Sequence, residues 1–170
     1  CLAESAVRFG WRVHAFVVMR NHFHLAAESR EPNLSDGMKW LQGTWATRFN
    51  RFRGETGRPF QGRFKAWHVE PGPVLAQVAH YIHLNPVRAK LVTPERLLDY
   101  RWSSLTRLAA KRRPAWLEAR TVLQESGSLA DSAAGWRCYV RYLAVLAEED
   151  KAGRRAEGDP RDLRPRDRDP

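Results

Sequence analysis

The spacing of apolar positions changes from segment to segment along this chain. Leu2, Ala3, Ala6, Val7 and Phe9 line one helical face, and Gly10 follows where a C-cap belongs. Trp11 to Met19 (WRVHAFVVM) is rich in β-branched and aromatic residues and predicts a strand. Arg20 and Asn21 form a polar break, and His22 to Glu28 (HFHLAAE) predicts a second strand that closes a hairpin. Met38, Leu41, Trp45, Phe49 and Phe52 recur at helical spacing, which predicts a helix from Ser35 to Arg53. Gly54 to Gly62 reads as a loop, and the alternation in Arg63 to Val69 (RFKAWHV) predicts another strand. Gly72 and Pro73 open a further helix with Leu75, Val78, Ala79 and Ile82 on its apolar side. Asn85-Pro86 is expected to kink or end it.

Pro94 to Leu108 reads as helical or irregular, and residues 115–148 hold two further helices, the second marked by Tyr139, Val140, Leu143 and Leu146. Helices between antiparallel strands predict an α+β fold with a helical extension at the C-terminus. The expected division is 1–110 as the main domain, 111–150 as the extension and 151–170 as a disordered Pro/Arg/Asp-rich tail.

Charge changes this picture from a generic fold to a candidate binder. Lys and Arg number 29 against 19 Asp and Glu, a net of +10 over 170 residues. Residues 151–170 carry seven basic and five acidic side chains, so most of the surplus lies in the folded part. A surplus of that size suits a polyanion, with nucleic acid the common one. No apolar run approaches the ~18 residues that span a bilayer, so no membrane partner is expected. No secretory signal opens the chain, and its two cysteines cannot make a disulfide scaffold or a four-cysteine zinc site. The expected location is the cytoplasm.

Three constellations carry possible chemistry. His22 and His24 flank Phe23 on a predicted strand, so both imidazoles project to one face. Such a pair can hold a divalent metal, or be two ordinary histidines on a half-exposed strand. Tyr81 and Asn85 stand four apart on one helical face. A phenol is a possible nucleophile and an amide oxygen a hard metal ligand; a half-buried tyrosine before a helix-ending Asn-Pro is the plainer alternative. The stretch Arg48–Lys65 holds Arg48, Arg51, Arg53, Arg58, Arg63 and Lys65 against the single acid Glu55, with phenylalanines interleaved. The arginines suit phosphates or a solvated face equally, and the phenylalanines suit the core. Arg101, Arg107, Lys111, Arg112 and Arg113 form a second basic cluster. Trp102, Ser103 and Ser104 read as an aromatic anchor and a helix start. His80 and His83 flank Tyr81 and are alternative metal ligands, which leaves a three-histidine zinc hydrolase as a further reading.

Together FVVMRNHFHL (16–25), FQGRFK (60–65), YIHLNPVRAKLV (81–92) and YRWSSL (100–105) resemble the single-tyrosine HUH transposases, nearest the REP-associated tyrosine transposase branch. The resemblance runs from Phe9 to Leu105. It implies a ferredoxin-like central antiparallel sheet with helices packed on it. It implies that His22, His24 and Asn85 hold Mg²⁺ or Mn²⁺, and that Tyr81 is the nucleophile. The implied substrate is single-stranded or hairpin DNA from palindromic repeats, contacted by Arg48, Arg51, Arg53, Arg58, Arg63, Lys65 and Arg88. The implied activity is DNA cleavage and strand transfer through a 5′-phosphotyrosine link, by a monomer or a homodimer. Two positions depart from many relatives, Arg20 in place of Pro and Lys90 in place of Gly. Relatives also carry an N-terminal strand that is expected to be missing here. That lack keeps a second reading open, a repeat-hairpin DNA-binding remnant without activity.

Overall fold

The computed structural model describes residues 1–152, which fall into two compact units. The first joins Cys1–Arg12 to Ala27–Ala66, and the second joins Val13–Ala26 to the chain from Trp67 onward. The tail expected to be disordered lies almost wholly outside the described residues.

In the first unit, α1 (Leu2–Phe9) ends on Gly10, whose φ of 66° lets its N–H close on the Ala6 carbonyl. The helix α2 (Leu34–Arg53) starts one residue before the expected Ser35. Asn33 occupies the N-cap position but does not cap; its amide accepts from Trp11 Nε1 (3.1 Å) and donates to the Phe9 carbonyl (3.0 Å). Trp11 is buried against α2 at Gly37, where only a glycine leaves room for the indole. The phenylalanines of α2 depart from the core expectation. Phe49 stacks on Trp45 at 4.7 Å, but Phe52 is 86% exposed, because the 20-residue helix turns that position to solvent.

The second unit holds most of a hairpin, β1 (Arg12–Val18) and β2 (Phe23–Glu28), paired antiparallel. Met19 N–H closes the Arg20-Asn21 turn on the His22 carbonyl at 2.8 Å. β1 is buried from Val13 to Val17, which explains its nearly continuous apolar run. Its other edge is satisfied by backbone bonds from Val13 to Trp116 (2.8 Å) and from Val18 to Trp102 (3.0 Å). Around it lie α3 (Pro73–Arg88), a 3₁₀ segment (Pro94–Asp99), α4 (Ser104–Leu108), α5 (Arg120–Glu125) and α6 (Ala133–Lys151). Leu84, Leu97, Leu105, Leu108, Val122, Tyr139 and Leu143 are almost wholly buried among them. Residues expected as a C-terminal extension thus share a unit with α3.

The fold is α+β, the class expected from the sequence. Among the described residues its sheet has two strands, narrower than the central sheet of a ferredoxin-like arrangement. Arg63–Val69 is not a strand. Its two half-buried side chains, Phe64 and Val69, are five residues apart, so no single strand face is covered. Trp102 is 52% exposed rather than a buried anchor, with the Arg101 guanidinium over its ring. No helix among the described residues is long and apolar enough to cross a membrane.

Candidate functional site

The hairpin turn presents the two candidate histidines. His22 stands just before β2 and His24 is its second residue, two positions on. Their rings lie 5.1 Å apart, edge to face, so the common projection expected of H-x-H is realised. Asn21 Oδ1 lies 2.8 Å from His22 Nδ1. That bond places the Nδ1 proton toward the amide and leaves Nε2 with the free lone pair. His24 is half-buried, and burial, together with the charge of His22, holds its imidazole below the ordinary histidine range. A neutral imidazole keeps a lone pair for a metal.

Tyr81 is delivered by α3. Its ring meets His24 edge to face, with centroids 5.6 Å apart. One turn on, Asn85 is buried and its Nδ2 donates to the Tyr81 carbonyl at 2.8 Å. The nitrogen being committed, Oδ1 is the end of that amide available to a hard cation.

Of the two outcomes expected at Asn85-Pro86, a kink or an end, the helix does not end there. Pro86 cannot bond to the Ile82 carbonyl, yet α3 continues to Arg88. The last turn is closed instead by Ala89 N–H on Asn85 (2.9 Å) and Leu91 N–H on Pro86 (2.8 Å). The extension matters because it carries Arg88 back over the nucleophile candidate. The guanidinium carbon lies 4.7 Å from the Tyr81 ring centroid, and Nη1 reaches the Tyr81 carbonyl at 3.4 Å. Arg88 Nε donates to Asp150 Oδ2 at 2.7 Å.

His80 and His83 point elsewhere. His83 is fully buried, with Nδ1 at 2.9 Å from the Tyr139 hydroxyl and Nε2 at 2.8 Å from Ser104 Oγ. Ser104 Oγ also accepts the Phe16 N–H at 2.9 Å, so this network ties α3, α4, α6 and β1 together. Burial pushes His83 down to about 3, and pushes His80, bonded to Ser126 at 3.0 Å, down to about 4. Both His83 nitrogens are used within the core, so the three-histidine zinc arrangement is not formed through it. Among the described residues no three His, Cys, Asp or Glu side chains gather in metal-binding geometry. The candidate donor set is two imidazoles and one amide oxygen, neutral ligands that suit Mg²⁺ or Mn²⁺ only with further oxygens from substrate or water.

The basic stretch belongs to the first unit, whereas His22, His24, Tyr81, Asn85 and Arg88 belong to the second. Arg48, Arg51, Arg53, Arg58, Arg63 and Lys65 are all exposed. Arg48 is bidentate to Glu4 (2.5 and 2.9 Å), and Arg53 pairs with Glu55 at 3.1 Å. Sequence reasoning missed Asn21 and Asp150. Asn21 was visible only as a turn residue, and Asp150 has no local signal, being 62 residues from its partner.

Comparisons with protein-family models, with curated proteins and with solved structures find no match to this chain.

Proposed function

We propose that this chain is a metal-dependent single-stranded DNA endonuclease and strand transferase that works through Tyr81. The supporting observation is the meeting of His24 and Tyr81, 5.6 Å between centroids, with His22 beside His24 on the same face. The resemblance of the HUH and Tyr-x-x-x-Asn segments to REP-associated tyrosine transposases supports the same reading.

His22 Nε2, the His24 imidazole and Asn85 Oδ1 would hold Mg²⁺ or Mn²⁺. When bound, the cation supplies charge withdrawal from the scissile phosphate. Tyr81 Oη forms a bond to phosphorus as the bond to the 3′-oxygen breaks. The phenolic proton leaves to solvent, and the departing strand ends in a 3′-hydroxyl. One phosphodiester is exchanged for one phosphotyrosyl ester, so a 3′-hydroxyl can attack back and rejoin strands without an added energy source. A paired duplex cannot bend its backbone into such a site, which favours single-stranded DNA beside hairpin-forming repeats. The exposed arginines of 48–63 and Lys65 would hold phosphates, at a cost in affinity as salt rises. We place the protein in the cytoplasm, acting as a monomer or homodimer.

The test is covalent capture on a denaturing gel. A labelled single-stranded hairpin repeat is incubated with the protein and Mn²⁺, beside Tyr81→Phe. The expected result is an EDTA-sensitive protein–DNA adduct that Tyr81→Phe cannot form. A gel shift with the same hairpin but no adduct would overturn the activity and leave a DNA-binding remnant.

A further inference from the structure

We propose that Asp150 is a positioning residue for Tyr81, acting through Arg88, so that α6 is part of the catalytic unit. The inference rests on the reading of Tyr81 as nucleophile. Arg88 follows Tyr81 by seven residues, close to two full turns, so both side chains share one face of α3. Its guanidinium is held on three sides. The Tyr81 ring lies beneath it at 4.7 Å, the Tyr81 carbonyl accepts from Nη1 at 3.4 Å, and Asp150 Oδ2 takes Nε at 2.7 Å and Nη2 at 2.6 Å.

Both charged side chains are about one quarter exposed, 27% and 26%, so this pair is sheltered more than an ordinary surface ion pair. Asp150 is itself placed by α6. That helix is anchored on α3 eleven residues earlier, where the Tyr139 hydroxyl meets His83 at 2.9 Å. Eleven residues are three turns, so Tyr139 and Asp150 face the same neighbour. An arginine without such a partner samples many rotamers and would leave the ring often. With it, the guanidinium stays over the Tyr81 ring, which also meets His24.

Two of the guanidinium nitrogens are committed to Asp150, which sets Arg88 apart from the exposed arginines of the first unit. Its contribution is therefore to turnover rather than to DNA affinity.

The experiment uses the full chain with Asp150→Asn, Arg88→Asp and the charge-swapped pair Arg88→Asp/Asp150→Arg. Single-turnover cleavage of the hairpin-flanked strand is expected to fall about 10-fold in Asp150→Asn, the size of losing an outer-shell partner. DNA affinity is expected to stay within about 2-fold, as for a residue that acts on turnover. The swapped pair restores the ion pair and the melting midpoint but leaves no guanidinium on Tyr81, so cleavage stays low. Recovery of cleavage in the swapped pair, or a loss confined to DNA affinity, overturns the proposal. A second readout is independent of activity. The chain has four tyrosines, so ring-labelled NMR resolves Tyr81, assigned with Tyr81→Phe. Asp150→Asn is expected to move the Tyr81 ring signal and leave that of Tyr100; an unmoved Tyr81 signal overturns the contact. If the signal moves but wild type forms no adduct, the positioning stands and the nucleophile reading falls.

Discussion

The His24 imidazole meets the Tyr81 ring edge-on, 5.6 Å between centroids, across 57 residues of chain. This contact joins a turn-proximal strand to the middle of a helix. It puts a metal-ligand candidate beside a nucleophile candidate. Replacing His24 with Ala is expected to weaken Mn²⁺ binding at least about 10-fold, and Asn21→Ala to weaken it by about the same factor through loss of the Nδ1 partner. Isothermal titration calorimetry with Mn²⁺ reads both. Unchanged affinity in His24→Ala would remove the H-x-H pair from the metal site.

His83 supports the same geometry from behind. His83→Ala strips a partner from both the Tyr139 hydroxyl and Ser104 Oγ in a buried network. The expected loss is about 3 kcal/mol in urea unfolding, the cost of stranding buried polar groups. The exposed His68→Ala is expected to stay within about 0.5 kcal/mol. Equal stability of the two variants would show that the network contributes nothing.

Buried neutral histidines also make stability depend on pH. His80 is held down to about 4 and His83 to about 3, while an unfolded chain titrates near 6.5. Between those values the unfolded state binds more protons, so stability is full above about pH 6.5 and falls as the pH drops toward 4. Each histidine contributes a slope of up to about 1.4 kcal/mol per pH unit across that window. Unfolding free energies measured from pH 7 to pH 4.5 should show the decline, and His80→Gln should flatten it. A flat wild-type profile would contradict the burial of these rings.

Two glycines of α2 separate packing from propensity. A Cβ at Gly37 would sit in the Trp11 indole, while one at Gly43 meets nothing within 4 Å. Gly37→Ala is expected to cost about 1–3 kcal/mol by overpacking, and Gly43→Ala to gain about 0.5–1 kcal/mol of helix propensity. Thermal unfolding of the two variants, moving in opposite directions, is the check.

Much of the local structure was legible. The end of α1 followed from apolar spacing and the C-cap glycine Gly10, and the end of α2 from apolar spacing up to the Gly54–Gly62 loop. The hairpin followed from β-rich runs around a polar break. The alternation in Arg63–Val69 misled, because period-two spacing specifies a face and not a neighbouring strand. Asn85-Pro86 allowed a kink or an end, and the helix runs on. A proline close to a helix end costs one hydrogen bond, and the bonds from Ala89 and Leu91 close the turn around it.

By itself the sequence determined which groups can act and which of them share a face. His22 and His24 project together because a strand has period two, and Tyr81 and Asn85 align because a helix has a period near 3.6. Those are properties of the backbone and need no neighbours. Only the tertiary structure decided what each face meets. Packing of α3 against α5 and α6 turned His83 into a core hydrogen-bond hub and set Asp150 on Arg88, and the fold brought Tyr81 to His24 of β2. Those pairings join residues far apart in the chain, chosen by packing and polar satisfaction across whole elements, and no local spacing encodes them.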